Sequence, residues 1–270
     1  MTAPNDLTLY DHAESVCCHK VRIALAEKGL DYETKSIALD AGEQVSPPFL
    51  AISPKGVVPI LQHKGRIIPE SSIITEYLDD AFPEKQLMPT DAYWRAKRRL
   101  WARWIDDEMH VPHIATISLI VSLHVAFRQG LDTQEKVDAF LAAVPDPRNR
   151  RVLSTGLSSG VDSDAFKESL AAWEKFLAAM DEQLAETDWL AGPAYSLADI
   201  DVVPYVWRLK NLQMGGMWDK MPRIADWLER VTSREAFKTA IVDQALPQWT
   251  ALLEATGKEA WPRIQPMLSA

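Results

Sequence analysis

Cysteine is nearly absent from this 270-residue chain, and the only two, Cys17 and Cys18, are neighbours. Adjacent cysteines have poor geometry for a structural disulfide, so a stapled scaffold is excluded. Free thiols suit a reducing compartment, and a cytoplasmic location is expected. A basic surplus is also lacking. With 29 Lys and Arg against 38 Asp and Glu, the net charge is −9. Nucleic acids and anionic membranes call for the opposite sign, so a small or uncharged partner fits better. MTAPNDLTLY has neither the basic start nor the apolar centre of a signal peptide. The longest apolar run, roughly 113–127, is short for a membrane span and is interrupted by His124. Internal repeats and low-complexity tracts are missing. What remains, 47% hydrophobic and 25% charged residues, is the balance of a soluble globular protein. The length is sufficient for two domains.

The first eighty residues alternate strand and helix signals. Leu7–Tyr10 reads as a strand and Val16–Lys28 as a helix ending at Gly29, a natural C-cap. Tyr32–Leu39 reads as a second strand. Gln44–Ala51 reads as a short helix with Pro47 and Pro48 near its start. Val57–Leu61 and Arg66–Ile68 read as a hairpin, and Ser71–Asp80 as another helix. A β-α-β unit followed by a hairpin and a helix predicts a small mixed sheet. Residues 83–90 read as a proline-bearing linker. Beyond them the pattern is helical: Trp94, Trp101, Trp104 and Ile105 share one side of a long helix, with further helices at 165–184, 197–212, 221–231 and 234–242. Arg95 to Arg103 read as a solvated or subunit-facing surface. Residues 129–164 carry loop signals and are expected to be an irregular flap or surface insertion.

Three places carry chemistry. ESVCCHKVR, 14–22, sets Ser15 at a helix start, where unpaired backbone N–H groups favour an anion. A hydroxyl there either caps the helix or donates to a bound sulfur anion. SPKGVVPIL, 53–61, puts Pro59 at a strand entrance after Val58, and an X-Pro bond there is a candidate for the cis form. Pro69-Glu70-Ser71-Ser72 precedes a helix. A serine there caps it or frames an anion site, and Glu70 alongside is suited to an ammonium group. DDEMHVPH, 106–113, sets His110 and His113 three apart among acids, but Pro112 disturbs the turn and no further ligands are evident, so no metal is expected.

Four stretches in this order, YDHAESVCCHKVRIALAEKG, PFLAISPKGVVPIL, IPESSIITEYLDDAFPE and DWLAGPAYSLADIDVVPYV, resemble the cytosolic glutathione transferases. The resemblance implies an α/β thioredoxin-like N-terminal domain at 1–82 and an all-α domain at 91–270. It also implies an enzyme with glutathione as cosubstrate. Ser15 falls on the family's catalytic serine. Val58 falls on the residue whose backbone pairs with the cysteinyl unit, Pro59 on the cis-proline, and Glu70 and Ser71 on the γ-glutamyl pair. Gln44 lies in the segment reaching the glycyl carboxylate. His110 and His113 are placed near the second substrate's pocket, and a dimer of like or unlike chains is implied.

Two departures stand out. Val57 replaces a lysine common in the family, leaving Lys55 or Gln44 to compensate. The reactive-cysteine position is Ser15, so Cys17 and Cys18 are not a dithiol pair, and buried packing is expected for one of them. Within the family, the long segment before Asp164 and FLAISPKGVVPIL resemble the glutathione-dependent β-etherases of lignin-degrading bacteria and their fungal relatives. That implies thiolate attack on a carbon bearing an aryloxy group beside a ketone. The spacing from Ser15 to Arg22 also resembles the zeta-like isomerases and dehalogenases, and a non-catalytic binding protein is the reading from a different class.

Overall fold

The computed structural model describes residues 6–269; the opening MTAPN, part of the stretch read above for want of a leader, and Ala270 lie outside the described residues. Strand β1 (Leu7–Asp11) buries Leu7, Leu9 and Asp11. Helix α1 (Val16–Lys28) returns along the sheet and ends at Gly29, whose φ of 65° is left-handed and open to glycine without strain. Strand β2 (Glu33–Ser36) lies parallel to β1. A single 3₁₀ turn (Glu43–Val45) leads into the short helix α2 (Pro47–Leu50), with the prolines in its first turn. Strands β3 (Ile60–His63) and β4 (Arg66–Pro69) complete a mixed sheet of order β2-β1-β3-β4. β3 begins at Ile60 rather than at the expected Val57, because Pro59 has no N–H for the ladder.

Register assembles the end of this sheet. Tyr10 pairs with Ile60 and Ile60 with Pro69. The chain leaving β1, the chain entering β3 and the chain leaving β4 therefore meet at one edge. That edge carries His12–Ser15, Val57–Pro59 and Glu70-Ser71.

Helix α3 (Ser71–Ala81) covers the sheet. All further regular elements are helical: α4 (Ala92–Gly130), α5 (Gln134–Ala143), α6 (Pro147–Ser158), α7 (Asp164–Glu186), α8 (Leu197–Asn211), α9 (Pro222–Thr232), α10 (235–242) and α11 (Pro247–Ile264). Two expectations are corrected here. The interval 129–164 is not irregular but holds α5 and α6, capped by Thr133 and Asp146. Its polar loop signals were helix caps. Arg98 is not solvated: it is 2% exposed and bonds Asp201 and Glu76, each at 2.9 Å.

α4 is a 39-residue helix, long and apolar enough to cross a membrane by length and composition. The apolar run read above as too short is only part of it. Here Ile114, Ile117, Ile120 and Val121 sink into the main core. Pro112 has no N–H to close the normal ladder, and the helix widens to π geometry over Trp104–Ile114. A small separate core of Leu119, Phe127, Val137 and Leu157 holds α5 and α6 on α4. Gly156 permits the contact: a Cβ there would lie 2.4 Å from Cβ of Leu119.

Ser196 and Asp199 form the capping box of α8. The buried Asp199 carboxylate accepts from Ser196 N (3.0 Å), Leu190 N (3.1 Å) and Trp227 Nε1 (2.8 Å). Burial nonetheless raises its pKa to about 6. Replacing it strands three buried donors, so Asp199→Ala is expected to cost roughly 2–4 kcal/mol, read as a lowered midpoint in urea unfolding.

Candidate functional site

A cavity of about 250 Å3 opens between the sheet edge just described and the helical half of the chain. Ser15, Gln44, Val57, Val58 and His110 all line it. Ser15 is the N-cap of α1, and its Oγ accepts from Cys18 N at 3.3 Å. The capping reading and the donor reading thus apply to one hydroxyl. Its oxygen takes the backbone hydrogen bond, and the hydroxyl keeps one proton that it can donate. The loop before it is held from the helical half: Nη2 of Arg208, on α8, donates to Glu14 O at 2.6 Å and to Glu14 Oε2 at 3.2 Å.

The Val58–Pro59 bond is cis, as the strand-entrance proline suggested. Glu70 has a positive φ of 69° and Ser71 is buried at the first position of α3. Both lie at the sheet edge but outside the cavity lining. The Glu70 carboxylate meets Lys55 Nζ at 2.6 Å, an exposed pair of small energetic weight. Lys55 is therefore spent on Glu70. Gln44 is buried; its Nε2 donates to Leu39 O at 3.1 Å, and its Oε1 has no protein partner.

His113 does not belong to the cavity, contrary to expectation. Its Nδ1 sits 3.2 Å from Ser169 Oγ on α7, because in the wider π-helical turn residues three apart no longer share a face as they do in an α-helix. His110 instead faces Cys17, with Nε2 3.5 Å and Nδ1 3.8 Å from Sγ. Tyr205 OH lies 3.6 Å from the same sulfur. Burial pushes the Cys17 thiol up, but His110, Lys20 and the Tyr205 hydroxyl outweigh it, and the pKa falls to about 7. Cys18 differs: burial beside Asp11 lifts its thiol well above the ordinary range, and it packs with Ile37, Phe49, Val58 and Ile60. It is the packing cysteine.

The far wall of the cavity is apolar. Ile114, Leu119, Leu123 and Phe127 come from α4, and Val144, Val152 and Leu153 from the α5–α6 segment. Ser118 and Asn149 are its uncharged polar members. Trp249 of α11 stands at the rim, edge-on to His12 with centroids 6.0 Å apart. Arg208, Asn149 and Trp249 were missed in the sequence. Arg208 alone left a signal, a lone charge within the run VVPYVWRL at 202–209 of α8. In a wider trough along the C-terminal half of α1, Glu27 pairs with Arg234 at 2.6 Å and with Lys85 at 3.0 Å. The trough lies away from the N-terminus of α1.

Sheet, cis-proline, helix start and helical lid define a thioredoxin-like transferase. Residues 5–80 match the glutathione S-transferase N-terminal domain and residues 163–230 the C-terminal domain. The chain belongs to the glutathione S-transferase family and, as an enzyme of that family, uses glutathione as its cosubstrate. Among individual proteins it is similar to LigF of Sphingobium sp. strain SYK-6, with 31% identity over 86% of this chain and 91% of LigF. The crystal structure of that protein, described as a beta-etherase, matches with a TM-score of 0.78 over 88% of this chain and 99% of LigF, at 30% identity. Maleylacetoacetate isomerase of Pseudomonas aeruginosa is 28% identical over 87% of this chain and 95% of its own length. Tetrachloro-p-hydroquinone reductive dehalogenase of Sphingobium chlorophenolicum is 25% identical over 90% and 98%.

The paired sulfur gives a direct measurement. Thiolate absorbance near 240 nm is expected to rise with a midpoint near pH 7, from Cys17 alone, since Cys18 stays protonated there. His110→Gln removes the largest favourable influence, so the midpoint is expected to move up toward the free-thiol range of ~8.5.

Proposed function

We propose that this enzyme directs glutathione thiolate at a neutral aryl electrophile, with β-aryl ethers of lignin-derived compounds as the substrate class. The observation that carries the proposal is the cavity's asymmetry: Ser15 and a helix N-terminus at one end, an apolar wall without a free charge at the other. In this reading the Ser15 hydroxyl donates to the thiolate, and the start of α1 adds its partial positive charge. Holding thiolate and electrophile in one cavity supplies proximity.

Glutathione lies along the sheet edge, its cysteinyl unit against the Val58 backbone beside Pro59. Its γ-glutamyl ammonium displaces Lys55 at Glu70, and the adjoining carboxylate meets Ser71 and the start of α3. Gln44, with its oxygen unpartnered, accepts from a ligand N–H near the glycyl end. The likeness to LigF supports the etherase reading over the isomerase. A carboxylate-bearing substrate such as a maleyl ketone calls for a free cation in the acceptor wall, and Arg208 is committed to Glu14.

We place the enzyme in the cytoplasm, in keeping with its two free thiols. We also infer a dimer through α3 and α4. Ile73, Tyr93 and Leu100 are each more than half exposed there, beside the ion pair of Arg99 with Glu76.

Ser15→Ala is expected to cut turnover roughly 10- to 100-fold, the loss of one hydrogen bond to an anion, while retention on immobilised glutathione persists. The assay panel comprises an α-keto β-aryl ether, chlorodinitrobenzene and a maleyl ketone. Cleavage of the ether is expected. Turnover of the maleyl ketone alone returns the isomerase, and glutathione retention without any turnover returns the binding protein.

A further inference from the structure

His110 stands apart among the ionisable groups facing the cavity. Of the described residues lining it, His12, Glu14, Asp40 and Arg208 are the others that carry or can carry charge. Arg208 and Glu14 neutralise each other at 3.2 Å. The His12 imidazole accepts from Glu14 N at 3.2 Å, and burial lowers its pKa, so it is neutral. Asp40 brings a negative charge. His110 is left as the group positioned to hold a proton and release it into the cavity.

Its position is built. The π-helical stretch of α4 around Pro112 carries it toward α1, and insertions of this kind often mark functional positions. Cys17 Sγ lies 3.5 Å from the ring, and Tyr205 of α8 stacks edge-on with centroids 5.8 Å apart. The ring is thus held between sulfur and phenol while it lines the cavity. The charged groups around it are Cys17 and Lys20 from α1 and Asp106 from α4 itself, with the Tyr205 phenol of α8, kept protonated by burial, beside them. Burial alone would lower the His110 pKa. The charge and hydrogen bond of Cys17, with help from Asp106, outweigh burial and the opposing Lys20, so the pKa stands above its usual value.

We propose that His110 is the general acid of the reaction, giving its proton to the aryloxy oxygen as it leaves, with Cys17 as the positioning residue behind it. The inference rests on the etherase reading above. Glutathione loses its thiol proton, its sulfur forms the C–S bond, and the C–O electron pair departs on the aryloxy oxygen. That oxygen takes a proton from a ring nitrogen of His110, and the proton released from glutathione restores the imidazolium. Glutathione and ether give thioether and phenol, with no change of oxidation state and no further reactant. Cys17 holds the imidazolium by charge and does not bond to carbon.

The test is the dependence on leaving group. A set of α-keto ethers runs from an unsubstituted phenoxy to a 4-nitrophenoxy group, with wild type and His110→Gln compared. General acid catalysis is worth roughly 10²-fold or more when the leaving oxygen is basic and little when it is not. His110→Gln is therefore expected to lose about 100-fold in kcat on the phenoxy ether and less than about 3-fold on the nitrophenoxy ether. An equal loss across the series overturns the assignment. If wild type cleaves none of the ethers, the etherase reading fails, and the acid's role with it. A wild type that cleaves while the series stays flat removes His110 only.

Cys17→Ala provides a second arm should His110→Gln fold poorly. Without the sulfur's charge the imidazolium deprotonates more readily. The high-pH limb of kcat for the phenoxy ether is then expected to move to lower pH, with glutathione retention kept. An unmoved limb overturns the coupling of Cys17 to His110.

Discussion

The structure depends on burying a charged helix. α1 lies between the sheet and the helical half, and His19, Lys20, Arg22 and Glu27 are all buried along it. Charge in such a place is tolerated only when paired. The partners come from outside the helix: Lys20 reaches Asp106 of α4 at 2.7 Å and Ser72 of α3 at 2.9 Å, while Arg22 bonds Ala13 O at 2.8 Å. Glu27 meets Arg234, next to α10, and Lys28 meets Asp79 of α3 at 2.9 Å. Arg22 and Lys28 find their partners within the N-terminal half, whereas Lys20 and Glu27 meet Asp106 and Arg234 only once the two halves have docked. The pairing thus specifies how the helical half sits on the sheet, and with it where His110 meets Cys17. As with other buried ion pairs, removing one partner is far costlier than the pair's net contribution.

The same dependence explains the location of the chemistry. The loop before Ser15 is tied from the N-terminal half by Arg22 at Ala13 O and from the helical half by Arg208 at Glu14 O. Arg208 lies 194 positions further along the chain. Phase along the strands delivers the other parts: one edge collects the ends of β1, β3 and β4 because Tyr10, Ile60 and Pro69 share a register. A slip of one residue would turn Val58 and Glu70 away together.

Much of this was legible in the sequence, because local signals and local structure agreed. Ser15 caps α1, Gly29 ends it, Pro59 opens β3 and Ser196-Asp199 box the start of α8, each by short-range stereochemistry. The family pattern placed those residues in one site. What stayed illegible was long-range or carried no periodicity. His110 and His113 look alike in DDEMHVPH, and only the packing of α1 on one side of α4 and α7 on the other separates them. Arg98 looked solvated among its neighbours, since its partner Asp201 is a hundred positions away. The α5–α6 segment read as loop because its caps and prolines are what sequence inspection counts, while its apolar residues serve a small core rather than a long stripe.

That small core has a consequence for how such an enzyme diversifies. Leu119, Phe127, Val137 and Leu157 pack apart from the main core. The α5–α6 segment is tied to α4 as well by Arg128, whose Nη2 donates to Leu157 O at 2.6 Å. It supplies Val144, Asn149, Val152 and Leu153 to the acceptor wall. Substitutions there reshape what the enzyme admits while leaving the sheet edge and the buried charges of α1 untouched. Thiolate chemistry and substrate choice are thus on separately mutable parts of the chain, and a lineage can drift in one while holding the other constant.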